Sequence, residues 1–172
     1  DRLLSRGLGD VYKRQGCILL SILKERKNFY GTGIDKSGKC LKISKINAAN
    51  LKVCYRLKLY KSDVDKFNLG KYDLIVSNPP YIKTSKLKYL ERDVAEFEPR
   101  LALDGGLDGL SEIRKVIKKS SELIKKNGKL ILEIGFDQKN KVINLLKKEG
   151  FYINSTHKDL ANNDRCIVST KI

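Results

Sequence analysis

The chain has 172 residues, a formal net charge of +16, and 41% hydrophobic residues. This length and apolar content are enough for one domain with its own core, and because no run of about 18 apolar residues occurs, no membrane span is predicted. The amino terminus lacks the basic-then-apolar-then-small pattern of a signal peptide, so we expect a cytoplasmic protein.

The positive charge comes from 27 lysines and 9 arginines. It is open to two interpretations: a compositional bias with solvated lysines, or attraction to nucleic acid near the ribosome. The lysines are spread over predicted helix faces, which favours the first. The chain has four widely spaced cysteines, no C-x-x-C pair and one histidine. We therefore predict no metal site and expect the thiols to be reduced, small core residues.

The amino-terminal region predicts little regular structure. Residues 1–15 show neither strand alternation nor an apolar run, so we interpret them as a disordered or artefactual tail outside the domain. Residues 17–26 have apolar positions at helical spacing, and 28–35 read as a short strand. Ser37 is a good N-cap for a helix that continues to Asn50.

The rest of the chain alternates strands with helices. Strands are predicted at 56–60, 72–77, 129–134, 151–156 and 165–171, and helices at 111–126 and 138–149. The last two strands have no helix between them, which predicts an antiparallel hairpin. The pattern indicates an α/β fold: a doubly wound, mostly parallel, Rossmann-like sheet that ends in this hairpin, over residues 16–172.

A stiff loop follows the strand at 72–77, with the sequence Asn78-Pro79-Pro80-Tyr81. The two prolines fix two φ angles and remove two N–H donors, and the first biases Asn78 toward an extended backbone. Ligands of open α/β sheets bind at the carboxyl ends of the strands. The side chains of Asn78 and Tyr81 are therefore predicted to occupy a binding edge, although a plain proline-terminated turn is the simpler alternative.

Such a loop suits a planar NH2 group. The Asn78 amide oxygen and the Pro79 carbonyl can accept its two hydrogens, and the Tyr81 ring can stack on the plane. Orientation of a nucleophile in this way contributes up to about 7–11 kcal/mol to lowering a barrier. The motif resembles the Asn-Pro-Pro-Tyr loop of methyltransferases that use S-adenosylmethionine to methylate planar nitrogens.

A second set of residues predicts the cofactor site. Gly16 stands where the last glycine of a glycine-rich turn is expected, and Asp35 follows it by 19 residues at the end of the second predicted strand. An acidic residue at that spacing accepts hydrogen bonds from ribose hydroxyls. The alternative is that Asp35 only begins the next helix beside Ser37.

These motifs resemble the peptide chain release factor glutamine methyltransferase family, from Gly16 to Ile172. The resemblance also rests on two segments outside the catalytic loop, Glu98 to Leu110 (EPRLALDGGLDGL) and Asp159 to Arg165 (DLANNDR). The first segment is far more specific than the catalytic tetrapeptide, because adenine and guanine methyltransferases share that tetrapeptide.

The resemblance implies methyl transfer from S-adenosyl-L-methionine to the glutamine side chain in the Gly-Gly-Gln motif of class 1 release factors. Asn78, Pro79, Pro80 and Tyr81 would bind the substrate amide, with Asn78 also facing the cofactor. Gly16, Asp35, Asp63 and Val64 would contact the cofactor, the last two beside the adenine. No metal and no membrane partner are implied.

The chain also departs from the family. Nothing matches its amino-terminal helical domain, and residues 1–15 stand in place of the first strand and most of the glycine turn. We therefore expect a truncated domain whose first strand is missing or replaced and whose affinity for the cofactor is poor. Two alternatives stay open: an adenine or guanine amino methyltransferase acting on DNA or RNA, and an inactive fragment.

Overall fold

The structure is a computed structural model that describes residues 2–7, 16–89 and 103–172, the first of these ranges by its backbone only. Within these ranges the chain forms seven strands and four α-helices. The strands are β1 (Arg2–Gly7), β2 (Tyr30–Asp35), β3 (Leu57–Lys61), β4 (Tyr72–Asn78), β5 (Ile124–Glu133), β6 (Phe151–Lys158) and β7 (Asp164–Lys171). The helices are α1 (Cys17–Glu25), α2 (Gly38–Asn50), α3 (Ser111–Leu123) and α4 (Lys139–Lys148).

All seven strands form one sheet in the order β3-β2-β1-β4-β5-β7-β6. The first five of these are parallel, and β7 runs antiparallel to both β5 and β6. The predicted doubly wound α/β sheet with a terminal antiparallel hairpin is thus confirmed. Because β1 to β4 are parallel, their carboxyl ends meet at one edge, where the predicted site residues lie.

Of the two expectations for the first strand, that it is missing or that it is replaced, the structure contradicts the first. Residues Arg2–Gly7 form β1 and lie at the centre of the sheet, with Gly7 opposite Asn78 on β4 and Arg6 opposite Ile34 on β2. Pairing uses backbone groups that any residue except proline supplies, and an empty central position would leave two buried rows of such groups unsatisfied. Strand β1 has the sequence RLLSRG, in which apolar and polar residues do not alternate, so the sequence pattern does not indicate a strand. Residues 1 and 8–15, the rest of the predicted tail, lie outside the described residues.

The helix boundaries follow local signals with one exception. The Ser37 hydroxyl accepts a hydrogen bond from the Cys40 N–H at 3.3 Å, which confirms it as the N-cap of α2. Helix α3 ends at Leu123, three residues before the predicted end. Ile124 instead adopts an extended backbone and is buried opposite Tyr72, so strand pairing and burial replace the last helical turn.

Hydrophobic residues cover both faces of the sheet. Helices α3 and α4 pack on one face, in a cluster that includes Ile113, Ile117, Leu130, Leu132 and Leu146. Helices α1 and α2 contribute to a smaller cluster on the other face, made of Leu19, Leu20, Leu23, Ala48, Val53 and Val76. The two layers hold the sheet rigid on both sides, which fixes the carboxyl edge relative to the helices.

The cysteines correct one further expectation. Cys17 and Cys54 are exposed, and Cys40 and Cys166 are half-buried, so none of the four is a fully buried core residue.

Among the described residues, no helix combines the length and the apolar character that crossing a bilayer requires.

Candidate active site

Three of the predicted site residues end neighbouring strands at the carboxyl edge. Asp35 is the last residue of β2, Asn78 is the last residue of β4, and Asp63 follows β3 by two residues. Strand β1 lies between β2 and β4, so Asp35 and Asn78 are two strand spacings apart, about 10 Å. The edge therefore places an amide at the end of β4 and a carboxylate at the end of β2, on either side of the end of β1.

The predicted catalytic loop leaves β4 directly. Pro79 and Pro80 are buried, whereas Asn78 and Tyr81 are half-buried. The buried prolines anchor the loop, and the two partly accessible side chains flank them. Within the half-buried Asn78 side chain, the Oδ1 atom itself is buried, so the amide oxygen lies inside the edge rather than on its surface.

The Tyr81 ring is held by a residue that lies 84 positions later in the chain. The Arg165 guanidinium stacks over the ring at 5.8 Å, and its Nη1 donates to the Tyr81 hydroxyl at 3.3 Å. The Tyr81 hydroxyl in turn donates to Glu133 Oε1 at 3.4 Å. Asp159 fixes Arg165 by accepting from Nε at 3.2 Å and from Nη2 at 2.9 Å. The Asp159-to-Arg165 loop thus acts as a brace for Tyr81.

The carboxylate of this brace is held ionised by its surroundings. Hydrogen bonds from the backbone of Asn163, followed by the Arg165 side chain, lower the pKa of Asp159 below its ordinary value. Burial, with a smaller effect from Glu133, raises the pKa of the neighbouring Cys166 thiol. The brace is therefore charged at neutral pH, while the adjacent thiol stays protonated there.

The glycine-rich segment 103–110 runs beside the catalytic loop. The Ile82 N–H donates to the Leu103 carbonyl at 3.1 Å, and the Gly105 N–H donates to the Ile82 carbonyl at 2.8 Å. A Cβ atom on Gly105 would lie 2.9 Å from the Tyr81 Cα, and one on Gly109 would lie 2.7 Å from the Tyr81 carbonyl oxygen. Glycine is required at both positions for this close backbone contact. Residues 98–102, the first part of the motif, lie outside the described residues.

Sequence reasoning missed a second brace. Gln138 is 3% exposed, and its Nε2 donates to the Tyr81 carbonyl at 2.9 Å and to the Gly109 carbonyl at 3.0 Å. Its Oε1 accepts from the Gly135 N–H at 2.9 Å. A glutamine at the first position of a predicted helix looks like an ordinary polar surface residue, and only the fold brings it to the loop.

Of the residues predicted to contact the cofactor, Asp35 ends β2 and Gly16 begins α1. Asp35 is 8% exposed, and its Oδ1 accepts from the Ser37 N–H at 2.7 Å. A carboxylate can accept several hydrogen bonds, so this bond at the start of α2 is compatible with a second role for the Asp35 side chain. Gly16 has φ 82° at the start of α1, and a Cβ there would lie 3.1 Å from the Ser44 hydroxyl.

The two other residues predicted to contact the cofactor, Asp63 and Val64, differ in their exposure. Asp63 Oδ1 accepts from the Val64 N–H at 2.7 Å, and its Oδ2 lies 2.8 Å from the Lys36 ammonium. Val64 is 5% exposed and belongs to the large core cluster. Asp63 therefore presents a partly accessible carboxylate at the edge, whereas Val64 can offer only an apolar floor beneath it.

A cavity of about 490 Å³ opens on the outer side of Tyr81. Its walls include Phe136, whose side chain is 59% exposed, and Lys86, whose ammonium lies 5.7 Å from the Phe136 ring centre. The Gln138 and Tyr81 side chains form the inner wall. The cavity therefore adjoins Tyr81, the last residue of the predicted catalytic loop.

Other chemistry finds little support at this edge. Within residues 16–89 and 103–172, no group of three histidine, cysteine or acidic side chains is placed to hold a metal ion. His157 is exposed on β6, where its Nε2 lies 2.9 Å from the Ser155 hydroxyl. It stands on the terminal hairpin rather than among the predicted site residues.

Comparisons with known proteins agree with this geometry. The chain is 39% identical over 170 residues to the release factor glutamine methyltransferase of Caulobacter vibrioides, and covers 57% of that protein. It is 37% identical over 165 residues to the enzyme of the same name from Clostridium acetobutylicum, and covers 58% of it. These alignments include 98% and 94% of the present chain. The chain thus spans a little over half the length of these relatives.

The fold is also that of solved class I methyltransferases. The magnesium protoporphyrin IX methyltransferase of Synechocystis PCC 6803, solved with bound SAM, superposes with a TM-score of 0.64 at 15% identity. The superposition covers 99% of this chain and 69% of the other. The methyltransferase small domain family matches residues 6–108, which is more than half of the chain and includes the catalytic loop. The chain therefore belongs to the methyltransferase small domain family.

Proposed function

We propose that the protein transfers a methyl group from S-adenosylmethionine to the side-chain amide nitrogen of a glutamine in a class 1 peptide chain release factor. The observation that carries the proposal is the rigid Asn78-Pro79-Pro80-Tyr81 loop at the carboxyl end of β4, on the same sheet edge as Asp35. Relatives named release factor glutamine methyltransferase, 37–39% identical to the chain, support this choice of substrate.

The residues at the edge fit the cofactor. Asp35 offers a carboxylate oxygen for the ribose hydroxyls, and Asp63 and Val64 would bound the adenine. Gly16, whose positive φ and close contact with Ser44 exclude a larger side chain, lets the start of α1 approach the ligand. When bound, S-adenosylmethionine supplies a methyl group on a sulfonium, which is already electrophilic without a metal ion.

The chain's own residues would act mainly by orientation. Asn78 Oδ1 and the Pro79 carbonyl accept the two hydrogens of the substrate amide, which aims the nitrogen along one direction. Tyr81 packs on the amide plane, and Arg165 keeps the tyrosine ring in place at 5.8 Å. The buried prolines keep the acceptors from turning toward water. We assign no general base, because the nitrogen becomes acidic only as the new bond forms.

The substrate is tested by mass spectrometry. The protein is incubated with S-adenosylmethionine and a purified class 1 release factor, and the tryptic peptide with the Gly-Gly-Gln motif is sequenced. We expect one added methyl group on the glutamine, and none on a release factor whose motif glutamine is replaced by glutamate. Methylation of ribosomal RNA or DNA with no modified peptide would overturn the proposal in favour of a nucleic-acid amino methyltransferase. A release factor substrate would place the protein in the cytoplasm, near the ribosome.

The role of the loop is tested by Asn78→Ala. Loss of one of the two acceptors should lower turnover about 100-fold or more, while the dissociation constant of S-adenosylmethionine changes little. Asn140→Ala, an exposed asparagine in α4, is the matched control and should behave as the wild type. If Asn78→Ala keeps normal turnover, the loop does not hold the substrate amide.

A further inference from the structure

Gln138 is a buried polar side chain that the proposed chemistry does not use directly. It lies immediately before α4, and its main-chain carbonyl accepts the Val142 N–H at 2.9 Å as that helix begins. Its side chain points back to the sheet edge instead of into solvent, with 3% of its surface exposed. A buried amide in a domain this small is costly unless its hydrogen bonds are made.

The surroundings of Gln138 fix which end of its amide is nitrogen. The carbonyl oxygens of Tyr81 and Gly109, at 2.9 and 3.0 Å, can only accept, whereas the Gly135 N–H can only donate. If the amide were turned the other way, its oxygen would face the two carbonyl oxygens and could form no hydrogen bond with them. Both amide hydrogens and one oxygen lone pair are therefore committed, and three separate backbone segments meet at one side chain.

Those three segments are the parts of the site whose relative positions must be maintained. Tyr81 ends the catalytic loop, Gly109 lies in the glycine-rich segment, and Gly135 follows β5. The Gly109 conformation is unusual, with φ 75°, and leaves no space for a side chain between Tyr81 and Gln138. Through the Tyr81 peptide, the position of Gln138 determines where the preceding Pro79 carbonyl and Asn78 side chain point.

We propose that Gln138 is a positioning residue for methyl transfer: its amide locks the Tyr81 carbonyl and the glycine-rich segment together, so that the catalytic loop is ordered before substrate binds. The inference deepens the proposed function and rests on it. Gln138 does not touch the substrate amide; it acts through Tyr81. Preorganisation of this kind changes turnover more than it changes the affinity for a ligand bound elsewhere on the edge.

Two variants separate this role from simple stability. Gln138→Met keeps the length of the side chain and removes its hydrogen bonds. Gln138→Glu keeps the shape but sets a carboxylate against two carbonyl oxygens. Ser169→Ala is the matched control, because Ser169 is fully buried and its hydroxyl donates to the Leu130 carbonyl at 3.3 Å, away from the loop. Turnover, the Michaelis constants and amide hydrogen exchange are measured for each in the full chain.

For Gln138→Met we expect turnover to fall about 10- to 100-fold, with the dissociation constant of S-adenosylmethionine little changed. Exchange of the Ile82 and Gly105 amides, which donate across the loop and the glycine-rich segment, should accelerate about tenfold, while amides of β6 stay protected. Ser169→Ala should lower the unfolding temperature without either effect. Wild-type turnover together with wild-type exchange at Ile82 in Gln138→Met would overturn the proposal.

Gln138→Glu adds a pH signature. A buried carboxylate facing two acceptors has its pKa raised in the folded state, so the native loop is favoured when the group is protonated and can donate to one carbonyl. Turnover relative to wild type should therefore recover as the pH falls and worsen as it rises, which Gln138→Met should not show. If Gln138→Met does not fold, Gln138→Glu tests the proposal alone. A turnover of Gln138→Glu, relative to wild type, that does not depend on pH would then refute the positioning role of Gln138.

The two proposals fail in different ways. If the wild-type protein modifies no release factor, the proposed function fails, yet the exchange of Ile82 in the Gln138 variants still reports whether the loop is positioned by this side chain. If the wild type is active and the Gln138 variants match Ser169→Ala in every readout, the positioning role alone is refuted.

Discussion

The two sides of the site are held by different kinds of contact. On the cofactor side, Asp35 and Asp63 accept hydrogen bonds from backbone N–H groups one or two residues further along the chain. On the substrate side, Tyr81 is held by Gln138 and Arg165, which are 57 and 84 residues away. The main-chain contacts of the two carboxylates are thus local, with the Asp63–Lys36 ion pair as one longer-range addition, whereas the catalytic loop is set by the packing of the whole domain.

This difference predicts where the site is fragile. A local turn reforms whenever its strand and helix form, so its geometry tolerates change elsewhere. A loop held by Gln138 just before α4, by Arg165 of β7 and by the glycine-rich segment depends on all three being in place. Substitutions in those braces should therefore lower turnover without touching the substrate, while substitutions on the cofactor side should act on binding.

The largest effect is expected for Gly109→Ala. The added Cβ would lie 2.7 Å from the Tyr81 carbonyl oxygen and 2.8 Å from Gln138 Nε2, at a φ of 75° that disfavours alanine. The strain and the displaced backbone should cost about 1–3 kcal/mol of unfolding free energy and abolish methyl transfer. Urea unfolding and turnover provide the measurement.

Gly38→Ala is the control for that substitution. Gly38 is the first residue of α2, and the nearest atom to an added Cβ is the flexible Lys61 Cδ at 3.9 Å. The free energy of unfolding should stay the same or rise slightly, because alanine favours the helix. Equal losses in both variants would show that the close contact at Gly109 has no special role.

The same division explains what the sequence could and could not predict. The order of strands and helices, Ser37 as N-cap and Asp35 at a strand end follow from periodicity and turn chemistry within a few residues. Strand β1 was missed because its pairing is set by the neighbouring strands rather than by its own pattern. Gln138 was missed because a buried hydrogen-bonding role depends on segments that only the fold brings together.

The next effect tests the cofactor side with Asp35→Asn. Asparagine keeps an oxygen that can accept the Ser37 N–H, so α2 should begin as before. It removes the negative charge, and loss of charge-assisted hydrogen bonds to the ribose should weaken S-adenosylmethionine binding about 10-fold or more, as measured by calorimetry. Asp73→Asn, a carboxylate paired with Lys125 on the exposed surface, is the control. Unchanged affinity would leave Asp35 as a helix-start residue only.

A smaller effect is expected for Arg165→Lys. Lysine keeps the positive charge but loses the forked contacts to Asp159 and the donor to the Tyr81 hydroxyl at 3.3 Å. Turnover should fall about 3- to 10-fold, with little change in cofactor affinity. Arg26→Lys changes an exposed arginine at the end of α1, away from the loop, and should leave turnover unaltered. A loss as large in the control would mean that the contacts of Arg165 have no special role.

The smallest effect concerns Cys166, which follows Arg165 on β7. Burial raises the pKa of its thiol, which lowers the fraction of reactive thiolate, and its sulfur is less accessible than those of the exposed Cys17 and Cys54. Timed alkylation with iodoacetamide should therefore label Cys17 and Cys54 first and Cys166 last, and Arg165→Lys should accelerate labelling at Cys166 only slightly. Labelling of Cys166 as fast as Cys54 would mean that this end of β7 opens readily, and the Arg165 brace would then be too mobile to hold Tyr81.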